Sequence, residues 1–239
     1  MISGRRTARI IGTVIKVTAV LLIFSVCGVL IWRMCSSGDP ESMSVLTPNK
    51  TLCEAYRENG EELTLRYQYQ STITQGESNA GYFSVTQYVF IPEANQVQLV
   101  FRYNNSTIQY LARDYGLSEI PSKESHLFDV TLVRTDDLTP ENREDNLDPA
   151  TLAKTRYFPS EVYTVRDTSP LYTYYRYVFE NVTLEDATVG VFADFYYVED
   201  IDYDRAAYGT LCLYDDVSKW VEQSLSDRDR AALESYTGA

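Results

Sequence analysis

Hydrophobic positions follow two contrasting patterns along the chain, one continuous and one alternating. Residues 10–32 form a nearly unbroken apolar run in which Lys16 is the single charge. A helix of that length rises roughly 34 Å, which is enough to cross the hydrocarbon core of a bilayer, and the long Lys16 side chain can extend to the head groups. The run therefore predicts a transmembrane helix over residues 10–33.

Beyond residue 50 the apolar residues alternate with polar ones, which is typical of half-buried β-strands. Residues 82–91 carry apolar side chains in both alternating sets, which predicts a strand covered on both faces. The other predicted strands span residues 63–69, 96–103, 128–132, 171–183, 187–199 and 206–214, with a hairpin loop at 92–95. The pattern predicts a mainly β domain, either an antiparallel β-sandwich or an open barrel of seven to nine strands.

The period changes to a helical one near the C-terminus, over residues 216–237. Asp216 can cap a first helix that carries Trp220 and Leu225 on one stripe. Ser226 and Asp229 have the spacing of a capping box, with Asp in place of the usual Glu, and predict the start of a second helix. We therefore expect one or two C-terminal helices beside the strands.

Charge divides the chain at the apolar run. Five of the 21 basic residues precede residue 34 and no acid does, so the rest of the chain carries 16 bases against 34 acids, a formal net charge of −18. The positive-inside bias predicts that residues 1–9 form a cytoplasmic tail and that the C-terminus lies outside the cell membrane. A cleaved signal peptide is the alternative, but no small-residue cleavage site follows Trp32.

Composition divides the rest of the chain into a linker and a domain. Residues 34–50 are rich in Ser, Gly and Pro and are interpreted as a linker, and residues 51–239 form the extracytoplasmic domain. Its acidity repels nucleic acid, so we expect none as a partner. The expected partners are membrane lipid, through residues 10–33, and a glycan or protein ligand. No cofactor is expected.

One segment, Thr210-Leu-Cys212, has a partial likeness to a catalytic motif. It resembles part of the Thr-Leu-x-Thr-Cys strand of the sortases, anchored enzymes whose Cys nucleophile works with a His and an Arg. Here Cys212 follows Leu directly, which departs from that pattern, and His126 and Arg228 are the available partners. The resemblance implies an anchored cell-wall enzyme with Cys212 and His126 at its site. The alternative is a core cysteine on a strand.

Cys53 and Cys212 lie near the two ends of the outer domain. A disulfide between them would close a long loop in an oxidising compartment. The alternative is a pair of buried thiols that pack as small hydrophobic side chains.

Two acidic segments are candidate metal sites, because hard cations require several converging oxygen ligands. Asp200, Asp202 and Asp204 stand at alternate positions, and residues 136–148 form a second acidic stretch. On an extended strand the three aspartates would only share a solvated face.

Tyrosine is abundant, with 20 residues in the chain. Tyr172, Tyr174 and Arg176 share one face of a predicted strand and would form an aromatic platform for a glycan or peptide, unless a second layer covers them. The leading hypothesis is a non-enzymatic, membrane-anchored extracytoplasmic interaction module that binds an envelope polymer or another membrane protein. An anchored cell-wall enzyme and a structural subunit of a membrane complex are the alternatives.

Overall fold

The structure is a computed structural model of the chain. It describes residues 3–36, 38, 40–68, 74–78, 80–135, 154–160, 165–183, 190–214 and 220–237. The chain divides into two compact units, Met1–Gly38 and Asp39–Ala239. The second unit begins at Asp39, inside the stretch 34–50 that was predicted as a linker, so part of that linker belongs to the folded domain.

The N-terminal unit is a single helix, α1 (Ser3–Ser36). Its segment Thr13–Trp32 has a mean hydropathy of 2.6, and all of its side chains are exposed. A helix of that length with an apolar surface on all sides is a candidate membrane span. The transmembrane prediction for residues 10–33 is supported to that extent.

The second unit is mainly β, as predicted, and its described strands exceed the expected seven to nine. Their bounds are β1 (Thr64–Gln68), β2 (Thr74–Ser78), β3 (Phe83–Ile91), β4 (Gln96–Asn104), β5 (Phe128–Thr135), β6 (Lys154–Tyr157), β7 (Val165–Thr168), β8 (Tyr172–Phe179), β9 (Gly190–Tyr197), β10 (Gly209–Tyr214) and β11 (Val221–Ser224). They form two antiparallel sheets, β11-β1-β3-β4-β8-β7 and β2-β10-β9-β5-β6, and the described strands close no barrel.

The two sheets share one aromatic core. Phe83 on β3 stacks on Phe195 on β9, with ring centroids 4.1 Å apart, and Phe101 on β4 meets Phe195 edge-on at 4.8 Å. Phe128 on β5 lies 4.9 Å from Phe83. Because all four rings are buried, burial of aromatic surface holds the six-stranded sheet against the five-stranded one.

β3 is covered on both faces, which confirms the prediction for residues 82–91. A register shift lies between Val85 and Gln87, where β3 carries one extra residue opposite β4. Val85 and Tyr88 therefore both belong to the core between the sheets, whereas Val89 packs on the opposite face. Strict alternation would place Val85 and Val89 on the same face, but the bulge between them moves Val89 to the opposite face.

The helices only partly match the prediction. Helices α2 (Lys50–Asn59) and α3 (Thr107–Asp114) were not predicted. The prediction of a helix after Asp216 was wrong over Val221–Ser224, which form the edge strand β11, paired with β1. Its first part, residues 216–219, lies outside the described residues. The second expected helix is confirmed as α4 (Asp227–Ser235), and its N-terminus has the predicted capping box of Ser226 and Asp229.

Residues 40–49, predicted as linker, bind to the outer face of the six-stranded sheet, and we call them the strap. Side chains hold the strap backbone: Arg176 Nη2 donates to Met43 O at 2.6 Å, and Leu46 N donates to Asp229 Oδ1 at 2.8 Å. Gln98 both accepts from Thr47 N and donates to Thr47 O, each at 2.9 Å. The strap is thus part of the domain, and the folded unit starts before residue 51.

We expect Asp229→Ala to lower the free energy of unfolding by about 1–3 kcal/mol, because Asp229 serves both the α4 capping box and the strap amide of Leu46. Asp227→Ala is the matched control, because it removes the same charge two residues earlier in α4, at a position that is exposed. Urea unfolding of the full chain in detergent measures both. Equal losses in the two variants would contradict this role of Asp229.

Candidate binding surface

The aromatic face predicted as a platform is buried. Tyr174 and Arg176 are fully buried, and Tyr172 is half-buried. Met43 of the strap packs against Tyr174, and the Arg176 guanidinium bonds to Met43 O and to Gln98 Oε1. The interpretation of Tyr172, Tyr174 and Arg176 as an exposed binding site was therefore wrong, because the strap forms the second layer over them.

The structure does not bring Cys212 and His126 together. On the five-stranded sheet Cys212 is paired with Phe192, which is paired in turn with Val133 of β5. His126 lies seven residues before Val133, which corresponds to roughly 20 Å along the strand direction. Arg228, the third sortase-like candidate, is on α4 and bonds to Glu41. The residues that the sortase resemblance implies do not form a site.

His126 has a structural setting instead. Its Nε2 is 3.1 Å from the Tyr177 hydroxyl, and its ring lies edge-on to Tyr175 at 5.3 Å. Partial burial lowers the pKa of His126 below its usual 6.5, so the ring is neutral at pH 7.

The two cysteines predicted to pair also lie apart, as thiols. Cys53 is on α2, buried with Leu233 and other side chains on the outer face of the six-stranded sheet. Cys212 is on the outer face of the five-stranded sheet, since its neighbours Leu211 and Leu213 point into the shared core. The predicted Cys53–Cys212 disulfide is not formed, because both sheets stand between the two thiols.

The three alternating aspartates do not converge on one point. Asp200 and Asp204 are exposed, while Asp202 bonds to Arg205 Nε at 2.9 Å and accepts from Asp204 N at 3.1 Å. Within the described ranges no group of three or more His, Cys, Asp or Glu side chains could hold a metal ion. The second candidate segment, residues 136–148, lies outside the described residues.

A different surface emerges on the outer face of the five-stranded sheet, where polar residues line up across the strands. Thr131, Asp194 and Thr210 are in register on β5, β9 and β10. Thr210 Oγ1 donates to Asp194 Oδ1 at 2.8 Å. On either side of this row the register places Asp129 beside Tyr196 and Arg156 beside Val133. The centre of this outer face is thus polar, whereas the residues that alternate with this row along each strand point into the core.

Tyr203 lies across that row. Its backbone carbonyl accepts from Arg156 Nη1 at 2.6 Å, and its hydroxyl donates to Asp129 Oδ2 at 3.1 Å. Its ring meets Tyr196 and Phe158 edge-on, with both centroid distances at 5.0 Å. Phe158 is 52% exposed, so an aromatic ladder runs from the buried Tyr196 to the surface. We call Asp129, Arg156, Phe158, Tyr196 and Tyr203, with the row beneath them, the Tyr203 patch.

Charges and hydroxyls in the patch are held in fixed states. Arg156 Nη2 lies 3.9 Å from Asp194 Oδ2, and its guanidinium is over the rings of Tyr196 and Tyr203. Burial, followed by the charge of Asp194, raises the pKa of Tyr196 to about 12. Burial and the Asp129 carboxylate raise the pKa of Tyr203 to about 12. Both phenols therefore remain protonated donors at neutral pH.

Two buried hydroxyls in the patch face each other. Tyr196 is 3% exposed and Thr131 is fully buried, and the Thr131 hydroxyl lies close enough to lower the pKa of Tyr196, against the larger effect of burial, although neither hydroxyl makes a hydrogen bond of normal geometry among the described residues. Buried polar groups are nearly always paired, and an exception indicates a role or a ligand that supplies the partner.

Tyr110, which is 43% exposed, lies in a second network of aromatic and charged side chains. Its ring stacks on Tyr82 at 5.3 Å, and Arg113 lies against it. Arg113 bonds to Asp114, which accepts from the Tyr208 hydroxyl at 3.1 Å.

Sequence reasoning missed the Tyr203 patch because its residues come from separate segments. Asp129 and Tyr196 lie on strands, Phe158 follows β6, and Tyr203 is in the loop between β9 and β10. The one signal in the sequence is a polar residue, Asp194, inside an aromatic strand, where burial of an acid requires a partner.

Comparison with family models, with curated proteins and with solved structures yields no match to this chain.

Cys53 and Cys212 should each react with an alkylating reagent under denaturing conditions before any reductant is added, even when the protein is isolated from an oxidising compartment. The reason is their separation on opposite outer faces. Mass spectrometry of the digested protein measures the label at each cysteine, and the same digest after reduction is the control. A linked Cys53–Cys212 peptide would contradict the structure.

Proposed function

We propose that this protein is a non-enzymatic, membrane-anchored interaction module whose extracytoplasmic domain, a β-sandwich, binds an envelope polymer or another membrane protein through the Tyr203 patch. Helix α1 is the anchor, with residues 1–9 in the cytoplasm and the C-terminus outside. The observation that carries the proposal is the exposed Phe158 ring, which is continuous with a fixed set of donors and acceptors in Arg156 and Asp129.

The composition of the patch supports binding. Tyr and Arg are enriched where interfaces concentrate their energy, because they combine apolar area with directed hydrogen bonds at low entropic cost. Arg156, Tyr196 and Tyr203 hold each other in place before any ligand arrives. A preorganised surface loses less entropy on binding than a mobile one.

The separation of Cys212 from His126 disfavours the rival class, an anchored cell-wall enzyme of sortase type. A cysteine nucleophile requires a base within hydrogen-bond reach, and His126 bonds to Tyr177 on another part of the domain. Normal biological activity in a Cys212→Ala variant would remove that rival. Constant co-purification with fixed subunits in detergent would favour the third class, a structural subunit.

The orientation is testable with the sequon at Asn181, which is exposed and followed by Val182 and Thr183. In microsomes we expect an N-glycan at Asn181, because the positive-inside bias sends the outer domain to the lumen. Endoglycosidase digestion and electrophoresis measure it, with Asn181→Gln losing one glycan. A sequon inserted within residues 1–9 is the control and should stay unmodified. A membrane-inserted chain without glycans would contradict the orientation.

The interaction is testable by placing a photo-crosslinking benzoylphenylalanine at position 158 of the full chain in its own cells. We expect a crosslinked adduct, because Phe158 is the exposed part of the patch. The matched control carries the same residue at Glu54, which is exposed on α2 over the other sheet. Electrophoresis and mass spectrometry detect the adduct. No adduct at 158, or equal adducts at both positions, would overturn the proposal.

A further inference from the structure

We propose that the Tyr203 patch is a carbohydrate-binding site that takes an uncharged sugar unit of a neutral glycan. This inference rests on the proposed function and specifies its ligand. The surface combines an exposed aromatic ring, a carboxylate, a guanidinium and buried hydroxyls within one small area.

The aromatic part fits the apolar face of a sugar ring. Phe158 is 52% exposed and is held edge-on by Tyr203 at 5.0 Å, so a flat ring is fixed at the surface. A pyranose presents a face of C–H groups that can cover such a ring, while its hydroxyls point outward around the rim.

The polar part fits hydroxyl groups, which both donate and accept. Asp129 accepts from Tyr203 and from Val130 N, and its two oxygens have lone pairs to spare for a sugar hydroxyl. Arg156 has five N–H groups, of which one bonds to Tyr203 O and another faces Asp194 at 3.9 Å. Donor and acceptor therefore stand on either side of Tyr203.

The hydroxyls beneath Tyr203 support a polar ligand rather than an apolar one. The Tyr196 and Thr131 hydroxyls lie against each other, and neither makes a hydrogen bond of normal geometry within the part of the chain that the structure describes. They make the layer under Tyr203 polar, which suits a ligand rich in hydroxyl groups better than an apolar peptide side chain.

Charge and size select among ligands. Asp129 and Asp194 outnumber Arg156 in the patch, and the domain carries a formal net charge of −18, so anionic glycans are repelled. A protein partner needs roughly 800 Å² on each side. The exposed large apolar residues described in the domain stand as single residues along the sequence, Tyr110, Ile120, Phe158, Val165 and Ile201. A small ligand fits the patch better.

The test is binding of the full chain in detergent to an array of neutral hexose and N-acetylhexosamine oligosaccharides, with sulfated and uronic-acid oligosaccharides on the same array. We expect neutral oligosaccharides to bind, and Phe158→Ala and Asp129→Asn each to weaken binding by about tenfold or more. Tyr110→Ala is the matched control, since Tyr110 is the exposed tyrosine of the other network, and should bind normally. Circular dichroism verifies that each variant is folded.

Each outcome separates the ligand class from the proposed function. Neutral binding that is lost in the two patch variants and kept in Tyr110→Ala supports the inference. Absence of any bound neutral oligosaccharide, preference for anionic ones, or equal binding by all variants overturns it. A protein adduct at position 158 with an empty array would leave the interaction module standing and reject the sugar, whereas no adduct and an empty array would reject both.

Discussion

The buried guanidinium of Arg176 is the constraint on which the outer face of the six-stranded sheet depends. It is fully buried, and that burial lowers its pKa to about 10, with the charge of Asp229 acting in the opposite direction. A guanidinium removed from water must have its donors matched. In the described chain its partners are Met43 O, Gln98 Oε1 and Gln87 Oε1, at 2.6, 2.9 and 3.2 Å. The strap therefore completes the sheet and is not merely laid on it.

The bulge in β3 belongs to the same arrangement. Opposite β4, the extra residue between Val85 and Gln87 brings Gln87 level with Val100, which is itself paired with Arg176. Without it, Gln87 would face the aromatic core and Tyr88 would face the strap. One inserted residue thus supplies an acceptor to the buried cation and a ring to the core. The strap and the helices α2 and α4 cover the outer face of the six-stranded sheet, so that face is not open to a ligand.

Sequence patterns predicted the elements that have a regular periodicity or a recognisable cap. The alternation located β3, β4, β5, β8 and β9 within a few residues, and the capping box of Ser226 and Asp229 located the start of α4. The strap could not be predicted, because side chains of distant strands hold its backbone. Such contacts leave no periodic pattern of apolar residues in the sequence. The same is true of the Tyr203 patch, where Asp129, Arg156 and Tyr203 meet only through sheet pairing and a loop. Alternation shows that Tyr174 and Arg176 share a face, but it cannot show what covers that face.

The abundance of tyrosine has a structural cause. A tyrosine packed between strands must bring its hydroxyl to a partner, and several reach the loops at strand ends: Tyr175 donates to Ser125 O, Tyr177 to Phe128 O and Tyr208 to Asp114. These tyrosines are core residues whose hydroxyls are hydrogen-bonded. Tyr196 packs its ring against Arg156 and Tyr203, and its buried hydroxyl, like that of Tyr103, makes no hydrogen bond of normal geometry within the described residues. A buried hydroxyl without such a bond costs stability that a phenylalanine would avoid, so the packing of these rings must offset that cost.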